Sequence, residues 1–151
     1  MHPQPIKVLA DGTQLEPGSD RTDHVAVLFQ DSGLMIHTAS LGDAKELPNW
    51  DACGAACSAL RVLGHDDWKL ASRQHWERHM LDLDRYNPAV DPSLFPGIKP
   101  GWHWTSTGCA WNRDAAGVSP DAWLVRAGLG LVLCNPRGGA GFALAVRRVG
   151  Q

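Results

Sequence analysis

What this chain lacks narrows its possible roles first. No apolar run is long enough to cross a bilayer, and residues 1–10 carry no apolar stretch behind a basic one. The expectation is therefore a product made in the cytoplasm, with no secretory leader and no membrane insertion. Charge of one sign is also lacking. Fourteen Lys and Arg stand against sixteen Asp and Glu, and the net charge of −2 gives no general attraction to phosphate backbones. No nucleic-acid partner is expected. Internal repeats and low-complexity tracts are missing, as is any C-x-x-C spacing. The four cysteines, Cys53, Cys57, Cys109 and Cys134, would permit two disulfides, but a chain kept in a reducing compartment holds them as thiols. Cys53 and Cys57 fall at helical i,i+4 spacing, so buried thiols are the expectation.

What is present is tryptophan. Seven Trp accompany a single Tyr and three Phe, and each Trp brings a large rigid surface with one donor that needs a partner. At 151 residues, 44% apolar and 20% charged, the chain suits one domain with one hydrophobic core.

Residues 1–23 are polar and rich in Pro, Gly and Asp, and read as an arm or irregular lead-in with one short strand near 6–9. Residues 25–29 and 34–37, separated by a turn containing Asp31, Ser32 and Gly33, predict a β-hairpin. Asn49 suits the N-cap of a helix over 50–63, stopped by Gly64 and burying Ala52, Ala56, Ala59, Leu60 and Leu63. A second helix is expected from Ser72 to about residue 83, with Trp76, Met80 and Leu83 on its inner face. Pro88, Pro92, Pro96 and Pro100 make 84–101 a long loop. Strands are expected at 102–107, 122–126, 129–134 and 142–149. In the last of these, Phe142, Leu144 and Val146 would share a face. A hairpin, two helices, a loop and then antiparallel strands make an α+β domain.

These residues, taken in order, resemble a known family. Ser32-Gly33-Leu34-Met35, Trp50-Asp51-Ala52 with Cys57, Asp67-Trp68-Lys69-Leu70, and the run from Asn87-Pro88 to Phe95-Pro96 resemble the Lcl C-terminal-domain-like proteins of bacteria and phages. Trp104-Thr105-Ser106-Thr107, Ala122-Trp123-Leu124-Val125 and Val146-Arg147 extend the resemblance to about residue 149. It implies a C-type-lectin-like fold over 24–151 and a function largely unknown. It also places Trp68, Trp104 and Trp123 in the core, with Thr105 and Thr107 alternating against Trp104. The chain departs from the family at Ala71-Ser72, where Pro-Thr is common. It departs again at Ala145, where a cysteine often pairs with the position of Cys57, so the family's helix-to-strand disulfide is not expected. The ending from Gly141 to Val146 is similar to phage lectin-like proteins that display variable surface residues.

Candidate chemistry is sparse. His75 and His79 could chelate a metal, but Glu77 is misplaced for a zinc-protease signature and no third ligand is evident. His65-Asp66-Asp67 offers too few oxygens for calcium. Trp111-Asn112-Arg113-Asp114 is similar to the Trp-Asn-Asp motif of calcium-binding lectins, yet Arg113 would repel the cation. No metal and no cofactor are expected. Ser106 and Ser119 lack a nucleophile elbow. Cys109 and His103 form the one Cys/His pair close in sequence, without an orienting acid. Arg137-Gly138-Gly139-Ala140-Gly141 precedes a strand, so it is no phosphate loop.

The expected ligand contacts are Trp111, Asn112, Arg113, Asp114, Arg126, Asn135 and Arg137, on the face that carries ligands in lectin-like folds. The resulting expectation is a non-enzymatic, phage-encoded, virion-associated recognition protein contacting a protein or glycan, such as a host cell-surface receptor, and assembling through its N-terminal arm. The alternative is a small intracellular inhibitor of a host complex. A third is an enzyme related to the formylglycine generators, acting through Cys109 or another thiol.

Overall fold

A computed structural model describes residues 4–42, 47, 49–110, 116 and 119–149. The hairpin forms as expected. β2 (Ala26–Phe29) and β3 (Leu34–His37) pair antiparallel, with Val27 opposite Ile36, and Gly33 turns the chain at φ +63°. β1 (Ile6–Val8) adds to the outer edge of β2. Within β1, Lys7 is buried and its Nζ donates to the carbonyls of Ser19 and Arg21, which ties the polar lead-in down.

α1 (Trp50–Ala59) starts where expected, with the Asn49 side chain accepting from the Ala52 N–H. It ends four residues before residue 63. Leu60 is already extended, while Leu63 and Gly64 take positive φ values of 58° and 72°. Beyond this exit the Val62 carbonyl accepts from the Trp68 indole at 3.1 Å. The buried face is correspondingly Cys53 and Cys57, flanked by half-buried Ala52 and Ala56; Ala59 is exposed.

β4 (Lys69–Leu70) is a short strand that the sequence reading did not include. α2 (Arg73–His75) is capped by Ser72 and runs into a π-helical turn, Trp76–Met80. Trp76 and Met80 are buried as expected. Leu83 is not: the chain leaves the helix at Leu81, and Leu83 falls in the next turn at 76% exposure.

β5 (Trp102–Gly108), β6 (Asp121–Arg126) and β7 (Leu131–Pro136) form an antiparallel meander. β7 starts later than expected because residues 127–130 make the turn, with Gly130 at φ +75°. The expected final strand is two strands in two sheets. β8 (Phe142–Ala143) pairs parallel with β5, and β9 (Ala145–Arg148) pairs antiparallel with β3 and β4. The chain crosses at Leu144, whose carbonyl accepts from Ala71 N–H. The C-terminal sheet is therefore mostly, not wholly, antiparallel. Leu144 and Val146 do share one core cluster, while half-buried Phe142 covers His103.

The architecture is α+β: two short helices with one sheet ordered β1-β2-β3-β9-β4 and one ordered β7-β6-β5-β8. Alternation along the strands sorts side chains into two clusters. Ala26, Leu28, Met35, Ala145, Trp68 and Trp104 lie in one, under α1. Val27, Leu34, Ile36, Val146, Trp76 and Phe95 lie in the other, under α2 and the Pro-rich loop. The first sheet thus has apolar cover on both faces, which explains its unbroken apolar strands. Of the three tryptophans assigned to the core, Trp68 and Trp104 are buried. Trp123 is only half-buried, with the Arg73 guanidinium 4.4 Å over its ring.

Candidate functional site: an aromatic groove beside Arg126

Among the described residues, the expected contacts divide between the two ends of the β6–β7 ladder. Arg126 pairs with Leu131 at one end of the β6–β7 ladder, whereas Asn135 lies opposite Ala122 near the other end. Four residue steps along β6 separate Arg126 from Ala122, about 13 Å. Arg137, just past β7, stacks its guanidinium 4.1 Å from the Trp50 ring centroid and passes its carbonyl to Trp50 N–H. It is half-buried packing between β7 and α1. Asn135 is exposed. Trp111, Asn112, Arg113 and Asp114 lie outside the described residues.

At the Arg126 end, three chain segments are joined through their backbones. Asn87 and Ala89 N–H donate to the Gly128 and Ala127 carbonyls at 2.6 Å, and Ala127 and Gly128 N–H donate to the Gly101 and Pro100 carbonyls. A Cβ at Gly128 would stand 2.6 Å from the Pro100 oxygen, so only glycine allows this approach. Between the segments lies an open groove of about 440 Å³ lined by Tyr86, Asn87, Pro100, Gly101, Trp102, Arg126, Gly128 and Leu129. The Arg126 guanidinium carbon sits 5.8 Å from the Trp102 ring centroid. Tyr86 is 80% exposed and Leu129 52%. Phe142, Ala140 and Gly141 continue the apolar surface on the far side of Trp102.

Sequence reasoning found Arg126 but missed Tyr86, Trp102 and Leu129. No sequence signal sets Tyr86 outside, because Phe95 in the same Pro-rich loop is buried. Trp102 and Arg126 occupy paired positions of β5 and β6, which no local pattern reveals.

The other sequence candidates fall elsewhere. Cys109 is joined to Cys134 in a disulfide, contrary to the expectation of thiols throughout. The turn beyond β5 brings Cys109 beside β7, two strands away, which sequence spacing did not disclose. The pairing also removes Cys109 from His103. Cys53 and Cys57 are free and buried as expected, and burial pushes both thiols up to about 12. Cys57 Sγ lies 3.8 Å from the Leu144 carbonyl, next to Ala145, where a cysteine would have met it.

His103 is wholly buried, which lowers it to about 4. Its Nδ1 meets the Gly101 carbonyl at 3.0 Å, and its Nε2 meets Ser40 Oγ at 2.6 Å. A carbonyl only accepts, so Nδ1 carries the proton and Ser40 donates to Nε2. Among the described residues, the backbone donors next to this Ser–His pair are already used. Ser40 and Leu41 N–H are spent on the Gly97 and Ala143 carbonyls, and Ser40 Oγ also accepts from Lys99 N–H. The network is a satisfied buried polar group holding the 38–41 loop to β5.

His75 Nδ1 accepts from Ser72 N–H in a capping box, which takes one nitrogen of the expected i,i+4 pair. Burial first, then Arg148, His79, Lys69 and Arg78, lower His75 to about 4. Asp67 receives the Arg147 guanidinium through two hydrogen bonds, and these hold its carboxyl below the usual range. In the glycine-rich segment, the Gly139 carbonyl accepts from the Trp104 indole at 2.9 Å.

Fold and groove together define a class: an α+β domain with an open aromatic and cationic groove, set where the Pro-rich loop meets a β-hairpin turn. The chain belongs to the Lcl C-terminal domain family, which it matches over residues 26–147, from the first residue of β2 into β9. No curated protein matches the chain.

Proposed function

We propose that the chain is a recognition domain of C-type-lectin-like fold that binds a protein or glycan through the groove beside Arg126. The observation that carries this reading is the combination of exposed Tyr86 and Leu129 with Trp102 under a guanidinium, on segments locked by short backbone hydrogen bonds. An aromatic floor takes the apolar face of a sugar ring or a side chain, and Arg126 takes a carboxylate or hydroxyl at its edge. Tyr and Trp lose little conformational entropy on binding, and with arginine they are the residues enriched at interface hot spots. The groove lining contains no carboxylate, imidazole or thiol, which favours binding over acid–base chemistry.

The test is capture from a fractionated host lysate and on a glycan panel, comparing the native chain with Trp102→Ala and Arg126→Ala. Each variant is expected to lose roughly tenfold or more in affinity, the scale of a hot-spot residue. Undiminished binding by both would sink the groove as the site. The phage-particle and host-inhibitor settings differ in the captured partner. Co-sedimentation with virions supports the first, and recovery of one stoichiometric host complex supports the second.

A further inference from the structure

Among the described residues, three of the four sheet edges are guarded. On β1, Leu15 N–H donates to the Lys7 carbonyl and Gln14 bridges Val8. β4 is two residues long and carries exposed Lys69. β8 is equally short, and Leu41 bridges Ala143. β7 differs. It is six residues long, contains no charged side chain, and has β6 as its one neighbour. Natural edge strands are usually shortened, charged, bulged or covered, because an open ladder templates pairing with another chain.

The direction of each backbone group on β7 follows from one bond. Arg137 N–H donates to the Pro120 carbonyl, and the register pairs Asp121 with Pro136, so alternate residues from Arg137 back to Leu131 face β6. Val132 and Cys134 therefore aim N–H and C=O outward, and Pro136 aims its carbonyl outward. Pro136 has no N–H to leave unpaired, so it costs the ladder nothing at that position.

We propose that β7 is the pairing edge for a second copy of this chain, joining two four-stranded sheets across a two-fold axis into one continuous sheet. This goes beyond the groove reading and does not depend on it. The strand is self-complementary when the axis passes through Leu133. Val132 of one copy then exchanges N–H and C=O with Cys134 of the other, Leu133 meets Leu133, and Leu131 meets Asn135. Every facing pair is uncharged, so two copies meet without like-charge repulsion, and the cross-strand contact at the axis is apolar. The surface next to this edge repeats the same chemistry: Leu83, Leu129 and Leu131 are exposed at 76%, 52% and 48%. They surround the β6–β7 turn, where Leu83 lies over Gly130.

The test is sedimentation equilibrium of the full chain over about a hundredfold range of concentration, with amide hydrogen exchange read residue by residue. The expected result is a monomer–dimer equilibrium in which Val132 and Cys134 amides gain protection with concentration. Leu131 and Leu133 amides, already bonded to β6, should not change. Val132→Pro removes an outward N–H without removing a β6-ladder bond, and it is expected to stay monomeric over the same concentration range. A native chain that is monomeric throughout, capture of a foreign strand at β7 by a monomer, or a dimer whose Val132 and Cys134 amides stay unprotected would overturn the proposal. If Val132→Pro fails to fold, the exchange pattern of the native chain still decides.

Discussion

Two tryptophans of equal burial differ in one hydrogen bond. The Trp104 indole donates to the Gly139 carbonyl, whereas the buried Trp76 Nε1 has no partner. Replacement by phenylalanine removes similar apolar surface from both but a satisfied donor from only one. Trp104→Phe is expected to cost about 1 kcal/mol more than Trp76→Phe, measured by urea unfolding; equal losses would show that the Gly139 bond contributes nothing. His103 supplies a second prediction at this scale. Burial sets its folded value near 4, below the 6.5 of an unfolded histidine. The unfolded chain therefore takes up a proton that the folded chain refuses as pH falls through 6.5. Stability is full above about pH 6.5 and declines toward pH 4, by up to about 3 kcal/mol from His103. His75 adds to the same window. A urea midpoint that stays constant from pH 7 to pH 5 would contradict the neutral, Nδ1-protonated assignment.

At the scale of elements, what could be read in the sequence was what local chemistry decides. The hairpin about Gly33, the Asn49 cap, the Pro-rich loop and the strands at 102 and 122 all carry their own signals, and they appear within a few residues of expectation. The misses are set by distant partners. Past the early end of α1 the chain meets the Trp68 indole at Val62, and the last strand divides because its halves pair with β5 and β3. Arg126 was named from the sequence as an expected contact, but Trp102 joins it in the groove only through strand register, and the Cys109–Cys134 disulfide depends on the meander between them. That disulfide closes a loop of sequence separation 25 and is expected to contribute about 3 kcal/mol. Mild reduction should lower the melting temperature. Cys53 and Cys57, with thiols pushed up to about 12, should resist alkylation until the chain unfolds. Labelling of four thiols in the unfolded, unreduced chain would refute the pairing.

At the scale of the whole molecule, the crossing at Leu144 stitches the two sheets together, and it does so late. β9 stands between β3 and β4, so the first sheet has a gap between those two strands until residues 145–148 arrive. A chain ending at Ala143 should lose the fold of both sheets, seen as lost near-ultraviolet dichroism and poor solubility. A soluble, cooperatively melting fragment would refute this. During synthesis the consequence is one of order. β1, β2 and β3 leave the ribosome more than a hundred residues before the strand that completes their sheet. Val27, Leu34 and Ile36 must then wait without their final cover, which is the interval in which aggregation competes with folding. Nascent chains of this protein should therefore engage holding chaperones through the β2–β3 hairpin and be released only once β9 has emerged.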